Sequence, residues 1–220
     1  MRDSEELQRD VQNAIKWEPL LKAAEIGVTA KDGVVTLSGT VDSFFKKEEA
    51  EEAAKSVFGV KAVVEKIQVH FGNSIQKNDN DIATEIINAY RLNWEVPTDL
   101  VKVRVENGWV TLEGELEWNY QKDAAKRVVR YLDGVIGVSN NITIQSKSKD
   151  ILEKSSIENA LERNASLEDN DINVDVNGNK VTLKGTVSSW HQKDEAERVA
   201  WNAIGVANVN NELEVEYDFA

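Results

Sequence analysis

Apolar and polar positions alternate along this chain in three successive blocks that share one rhythm. Each block opens on helical spacing: Leu7, Val11, Ala14 and Ile15 in the first; Ile82, Ile86, Ala89 and Tyr90 in the second; Ile157, Ala160 and Leu161 in the third. Period two then takes over, through Ile26 and Val28, through Val101, Val103 and Val105, and through Ile172, Val174 and Val176. That alternation predicts a half-buried strand. Asp32-Gly33, Asn107-Gly108 and Asn177-Gly178 come next, and such dipeptides accept the positive φ of a two-residue hairpin turn. A second strand returns through Val35-Thr36-Leu37, Val110-Thr111-Leu112 and Val181-Thr182-Leu183. A second helix is predicted from an i, i+3, i+4, i+7 stripe: Ala50, Ala53, Ala54 and Val57; Ala125, Val128, Val129 and Leu132; Ala196, Val199, Ala200 and Ala203. The closing strands carry Val63, Ile67 and Val69; Val138, Ile142 and Ile144; Val209, Leu213 and Val215.

The blocks register on three glycines, Gly39, Gly114 and Gly185, each just past a Val-Thr-Leu. A second glycine follows at the same distance in every copy, Gly59, Gly134 and Gly205, and then Val63, Val138 and Val209. Self-similarity at a fixed period marks a tandem array. The expected fold class is α+β: three tandem α-β-β-α-β modules, each a three-stranded mixed sheet packed on two helices, over residues 1–72, 79–146 and 149–217. The first glycine of each set is expected to permit either close approach of helix and sheet or a left-handed turn. The second falls where a helix C′ glycine belongs. Asp79 or Asp81 is a candidate cap for the second module's first helix, and Ser155 or Ser156 for the third's. After the first helix, Trp17-Glu18-Pro19 and Trp94-Glu95-Val96-Pro97 suggest a tryptophan covering the end of a small core, or else a contact surface between the first two modules.

A seventy-residue-scale α-β-β-α-β unit with Val-Thr-Leu-x-Gly, an amphipathic helix, Gly-Val and a valine-rich last strand resembles the BON domain, in three OsmY-like copies. The resemblance implies a non-enzymatic binding unit of bacterial envelope and osmotic-stress proteins, found beside channel, secretin and peptidoglycan-binding modules. Some members bind anionic phospholipid, and many are periplasmic or lipoproteins. Here the start Met1-Arg2-Asp3-Ser4-Glu5-Glu6-Leu7 enters a helix pattern at once, without the apolar region of a secretory signal. A cytoplasmic chain is therefore expected, or a periplasmic one if a leader has been removed.

Charge narrows the partners. The net charge is −13. It divides as 10 basic and 13 acidic residues over 1–72, 9 and 11 over 73–147, and 7 and 15 over 148–220. Nucleic acid, which is bound by neutralising phosphates, is not expected. The middle module is nearly neutral and the third is strongly acidic. No apolar run approaches the length of a transmembrane segment. The chain has no cysteine, which removes disulfides, thiolate nucleophiles and cysteine metal sites.

Candidate chemistry is sparse. His70 and His191 stand at unrelated positions, so no catalytic residues, metal ligands or cofactor are expected. Asp79-Asn80-Asp81 and Asp169-Asn170-Asp171 lack the glycine and distal glutamate of an EF-hand. The run Glu48, Glu49, Glu51, Glu52 reads as a solvated face. Aromatics gather at the start of each second helix: Phe44 and Phe45, Trp118 and Tyr120, Trp190 and His191. They form either an exposed lip or a packing staple. In the middle copy Lys122, Lys126 and Arg130 recur every four residues, with Arg127 adjacent, beside Trp118 and Tyr120. That combination suits an anionic headgroup interface, while a charge run is also what a solvated helix face looks like. These six residues are the candidate site for anionic phospholipid or an acidic envelope or protein partner. A cytoplasmic interaction scaffold, a chaperone-like protein and a small-ligand or ion sensor are the alternatives.

Overall fold

The computed structural model describes residues 3–22, 25–72, 77–145, 153–167 and 171–216. The stretches 73–76 and 146–149, where the module links were expected, lie outside the described residues, as do Asp169 and Asn170. The first module runs α1 (Ser4–Trp17), β1 (Ile26–Lys31), β2 (Val34–Val41), α2 (Phe44–Lys55), β3 (Ala62–Val69). The second runs α3 (Asp79–Leu92), β4 (Val101–Glu106), β5 (Trp109–Leu116), α4 (Asn119–Arg130), β6 (Gly137–Ile144). The third runs α5 (Lys154–Glu162), β7 (Ile172–Asn177), β8 (Lys180–Val187), α6 (Trp190–Trp201), and then β9 (Asn208–Asn211) and β10 (Glu214–Val215). The α-β-β-α-β order of the sequence pattern is present three times. The last strand of the third copy is divided around Glu212 and Leu213.

In each sheet the second strand is central: β1-β2-β3, β4-β5-β6, and β7-β8 with both β9 and β10 against β8. The hairpins are antiparallel, and the closing strands of the second and third modules run parallel to the centre. Chain contacts gather the protein into two compact units, residues 1–39, 49–66 and 148–220 in one and residues 40–48 and 67–147 in the other.

Val-Thr-Leu lies at the centre of each core. Val35 and Leu37, Val110 and Leu112, and Val181 and Leu183 are wholly buried. From the first helices come Leu7, Val11 and Ile15, then Ile82, Ile86 and Tyr90, then Ile157 and Leu161. Each such aliphatic side chain contributes about 1.5–3 kcal/mol by leaving water. The third module's first helix is the shortest, nine residues against fourteen, and Glu153 stands where the repeat places Leu7 and Ile82.

The glycines are needed, for reasons that differ from those expected. Gly39, Gly114 and Gly185 sit at φ +132°, +149° and +121°. A Cβ there would lie about 2 Å from a backbone carbonyl oxygen, that of Glu25, Leu100 or Asp171 respectively. The obstacle is the entry of the neighbouring strand, not a helix. Gly59, Gly134 and Gly205 are not C′ residues, because the helices stop four residues earlier, at Lys55, Arg130 and Trp201. They take positive φ in a following turn closed by Val60 N–H to Val57 O, Val135 N–H to Leu132 O and Val206 N–H to Ala203 O. That turn drives Val60, Val135 and Val206 into the core.

Three further expectations are corrected. Asn78, not Asp79 or Asp81, caps α3, accepting from Asp81 N–H at 3.0 Å. At α5 the cap position is Glu153, without a side-chain bond, rather than Ser155 or Ser156. The third hairpin turns on Gly178-Asn179, since Asn177 pairs with Lys180. Only Gly178 has positive φ there, whereas Asp32-Gly33 and Asn107-Gly108 are positive at both residues. Asn179 thus stands where the other copies have glycine, and its amide donates to Gly205 O at 2.7 Å.

The tryptophans after the first helices do not cover the core: Trp17 is 87% exposed and Trp94 88%. A repeated turn does that work instead. Leu21, Val96 and Leu167 donate N–H to Glu18, Asn93 and Asn164 three residues back, and all three side chains are buried. Among the described residues, no helix is long and apolar enough to cross a membrane.

Candidate anion site on the middle module

Helix α4 positions the six candidate residues, and their surroundings separate them. Trp118 precedes the first turn, where its N–H donates to Gln121 Oε1 at 3.2 Å. Tyr120 is exposed. Lys122 is half-buried and occupies a position that is lysine in every copy. In the flanking modules that lysine works on the backbone: Lys47 Nζ donates to Ile67 O at 3.1 Å and Lys193 Nζ to Leu213 O at 2.5 Å. The two carbonyls stand at the same place in the closing strands.

One and two turns farther along α4, Lys126 and Arg130 converge. Lys126 Nζ lies 2.7 Å from Glu48 Oε1, and Arg130 Nε lies 3.2 Å from Glu48 Oε2. Glu48 belongs to α2, and residues 40–48 share a compact unit with the middle module. The Glu48 side chain is 13% exposed and that of Arg130 16%. The Arg130 guanidinium stands 4.8 Å from the ring centre of Phe45 and 5.5 Å from that of Tyr131, and the two rings are 4.7 Å apart. Aromatic faces attract a cation, more strongly as water is removed. Arg127 points elsewhere, pairing with Glu95 at 2.5 Å.

The structure therefore brings together Lys126 and Arg130 with three residues outside the six candidates: Glu48, Phe45 and Tyr131. Glu48 lies in the run whose sequence reads as a solvated acidic face. The signal that separates it lies in the repeat. At the places of Lys126 and Arg130 the first module has Glu51 and Lys55, ion-paired at 2.7 Å. The third has Glu197 and Trp201, with the indole N–H 3.4 Å from the carboxylate. Only the middle copy places two cations one turn apart, where like charges repel, so an external carboxylate is called for.

The other helix starts are occupied by packing. Phe44 is buried. Trp190 donates its indole N–H to Lys61 O at 3.1 Å, with Lys193 Nζ 5.5 Å from its ring centre. Acidic groups elsewhere serve as clamps. Asp79 accepts the N–H groups of Asn107 and Gly108 at 2.8 and 2.9 Å, holding the second hairpin turn against α3. Glu195 accepts from Arg198 and, at 2.7 Å, from Asn164. The Arg198 hydrogen bond is the larger influence and brings the Glu195 carboxyl down to about 2. Burial raises the Asp194 carboxyl above its ordinary value, with Lys55 and His191 opposing.

Comparison with known proteins agrees with the three-part fold. The BON domain profile matches residues 3–70, 78–146 and 153–217. The osmotically-inducible protein Y of Escherichia coli (strain K12) is 33% identical over 144 residues, 64% of this chain and 72% of that protein. A 21 kDa hemolysin of Actinobacillus pleuropneumoniae is 35% identical over 130 residues, 58% of this chain and 66% of that protein. A solved structure of CdsD, a structural protein of the Type III secretion system of Chlamydia trachomatis, aligns over 97% of this chain at 14% identity. The alignment covers 94% of that chain, but the TM-score of 0.27 is too low for it to carry weight.

Proposed function

Since this chain belongs to the BON domain family, as three consecutive copies of the domain, we propose that it is a non-enzymatic binding protein of the stress-response or envelope kind, whose middle module engages an anionic phospholipid surface through α4. One observation carries this reading: at the two positions where the first module has the ion pair Glu51–Lys55 and the third has Glu197 and Trp201, α4 carries two cations, Lys126 and Arg130, with Arg127 between them. Cations on one helix gain on the order of 1 kcal/mol each near an acidic lipid surface. Tyr120, exposed at the start of the same helix, supplies an aromatic ring of the type that sits at a headgroup boundary. The near neutrality of the middle module supports its choice over the third, whose excess of carboxylates opposes an acidic surface.

The non-enzymatic part of the reading is supported by the use of buried or perturbed carboxylates in structural roles, such as Glu195, which holds Arg198 and Asn164. Flotation with phosphatidylglycerol vesicles, against phosphatidylcholine vesicles, tests the lipid reading. The full chain is expected to float with the acidic vesicles only, and less so as salt rises. Replacing Lys126, Arg127 and Arg130 together by glutamine is expected to abolish flotation. If that variant floats as the parent does, or the parent floats with neither vesicle, a lipid-binding middle module is ruled out.

A further inference from the structure

The anion position of the middle module is already filled. Lys126 and Arg130 hold one carboxylate between them, and that carboxylate is Glu48 from another helix. Its surroundings are those of a ligand site rather than a solvated surface pair. Phe45 and Tyr131 stand against the Arg130 guanidinium, and both Glu48 and Arg130 are largely removed from water. Exposed ion pairs are worth little and exchange freely with solvent. The Glu48–Arg130 contact is mostly shielded from water, so parting the two without a replacement leaves a partly buried charge uncompensated. The acidic residue itself is part of the repeat. Glu48 matches Asp123 and Asp194 in the sister helices, and it meets the cation pair of α4. In the first and third modules the partner of each corresponding pair comes from the same helix.

We infer that Glu48 is an internal stand-in for the anionic group of the ligand. Closure of Glu48 on Lys126 and Arg130 and binding of an external phosphate there are mutually exclusive, which makes the Glu48 side chain a gate on this anion position. This inference rests on the lipid reading above for its physiological ligand. The anion site itself is testable without lipid.

The experiment compares the full chain with Glu48→Gln, which keeps the shape and removes the charge. Two arms are run. In the first, inorganic phosphate is titrated at constant ionic strength, with chloride as the balancing salt, and the thermal midpoint is followed. A ligand that binds the folded form raises that midpoint by mass action. Glu48→Gln is expected to gain a phosphate-dependent rise that the parent lacks, and Lys126→Gln plus Arg130→Gln on the same background is expected to remove it. In the second arm, Glu48→Gln is expected to bind phosphatidylglycerol vesicles on the order of tenfold more tightly than the parent.

Equal phosphate response in parent and variant overturns the inference, as does vesicle binding by both proteins with equal affinity. A phosphate response confined to the variant, with vesicles bound by neither protein, supports the stand-in role of Glu48 and defeats the lipid reading alone. Glu48→Asp, which retracts the carboxylate by one methylene, is the second variant should Glu48→Gln fold poorly. Its response is expected to fall between those of the parent and the glutamine form, and a parent-like response counts against the gate.

Discussion

Gly114 shows what single positions decide in this protein. Its φ of +149° and the Leu100 carbonyl 2.2 Å from where a Cβ would stand leave no room for alanine. Gly114→Ala is expected to cost about 2–4 kcal/mol in urea unfolding of the full chain, through strain and forced separation of β4 from β5. Gly178 is the control, with positive φ and nothing within 4 Å of its missing Cβ. Gly178→Ala is expected to cost about 1 kcal/mol, from backbone conformation alone. Equal losses for the two would refute the carbonyl contact as the cause. The exposed tryptophans give the opposite case. Trp17→Ala and Trp94→Ala are each expected to change stability by less than about 0.5 kcal/mol, whereas a tryptophan sealing a core would cost about 3–5 kcal/mol when truncated. The need for glycine was legible from its threefold recurrence. Its cause was not, because the clash partner, a carbonyl some fourteen residues upstream, has no mark of its own in sequence. Trp17 and Trp94 misled for a related reason: a large apolar residue signals burial on average, while the turn that buries Leu21, Val96 and Leu167 is written in backbone hydrogen bonds.

At the scale of elements, helix α6 and the turn after α5 are tied by one carboxylate. Glu195 joins Arg198 on its own helix to Asn164 on that turn. Its folded value, about 2 against the usual 4.5, lies below the unfolded one. The contribution is therefore fully present above the ordinary carboxylate range and is lost as pH falls from about 4.5 toward 2. Glu195→Gln is expected to lower stability at pH 7 and to flatten the acid limb of the stability–pH curve in that window, so that variant and parent converge near pH 2. An unchanged acid limb would remove Glu195 from the account. Arg198 is well exposed, so the effect is expected to weaken with salt. Element order and strand identity were legible because period two and period 3.6 alternate cleanly three times. Helix ends were less so. Asn78 wins the α3 cap because Asp79 is engaged with the hairpin turn 28 residues on, and sequence spacing says nothing of that competition. The third turn was readable from the anchor glycine: counting back six residues from Gly185 reaches Asn179, not Gly178.

Across the whole molecule the three copies are alike in their cores and unlike in their surfaces. The first pairs Glu51 with Lys55 and the third Glu197 with the Trp201 indole along one helix, whereas in the middle copy Lys126 and Arg130 reach Glu48 of another helix. The stripe of cations on α4 was visible in the sequence. Its carboxylate partner was hidden, because Glu48 sits in an acidic run whose members look equivalent until the helix is placed. Divergence of this kind is how a repeated scaffold acquires one distinctive site: core positions answer to packing, and surface positions are free to specialise.

The carbonyl beneath each anchor glycine has one more effect. A hairpin that slides by two residues keeps every side chain on its proper face, so hydrophobic patterning alone offers little resistance to that error. Here such a slide would carry Leu37 or Val41, Leu112 or Leu116, Leu183 or Val187 onto the carbonyl that tolerates only a hydrogen. Each copy thus has its own pawl against misregistration, an asset for a polypeptide that must zip the same hairpin three times among near-identical alternatives.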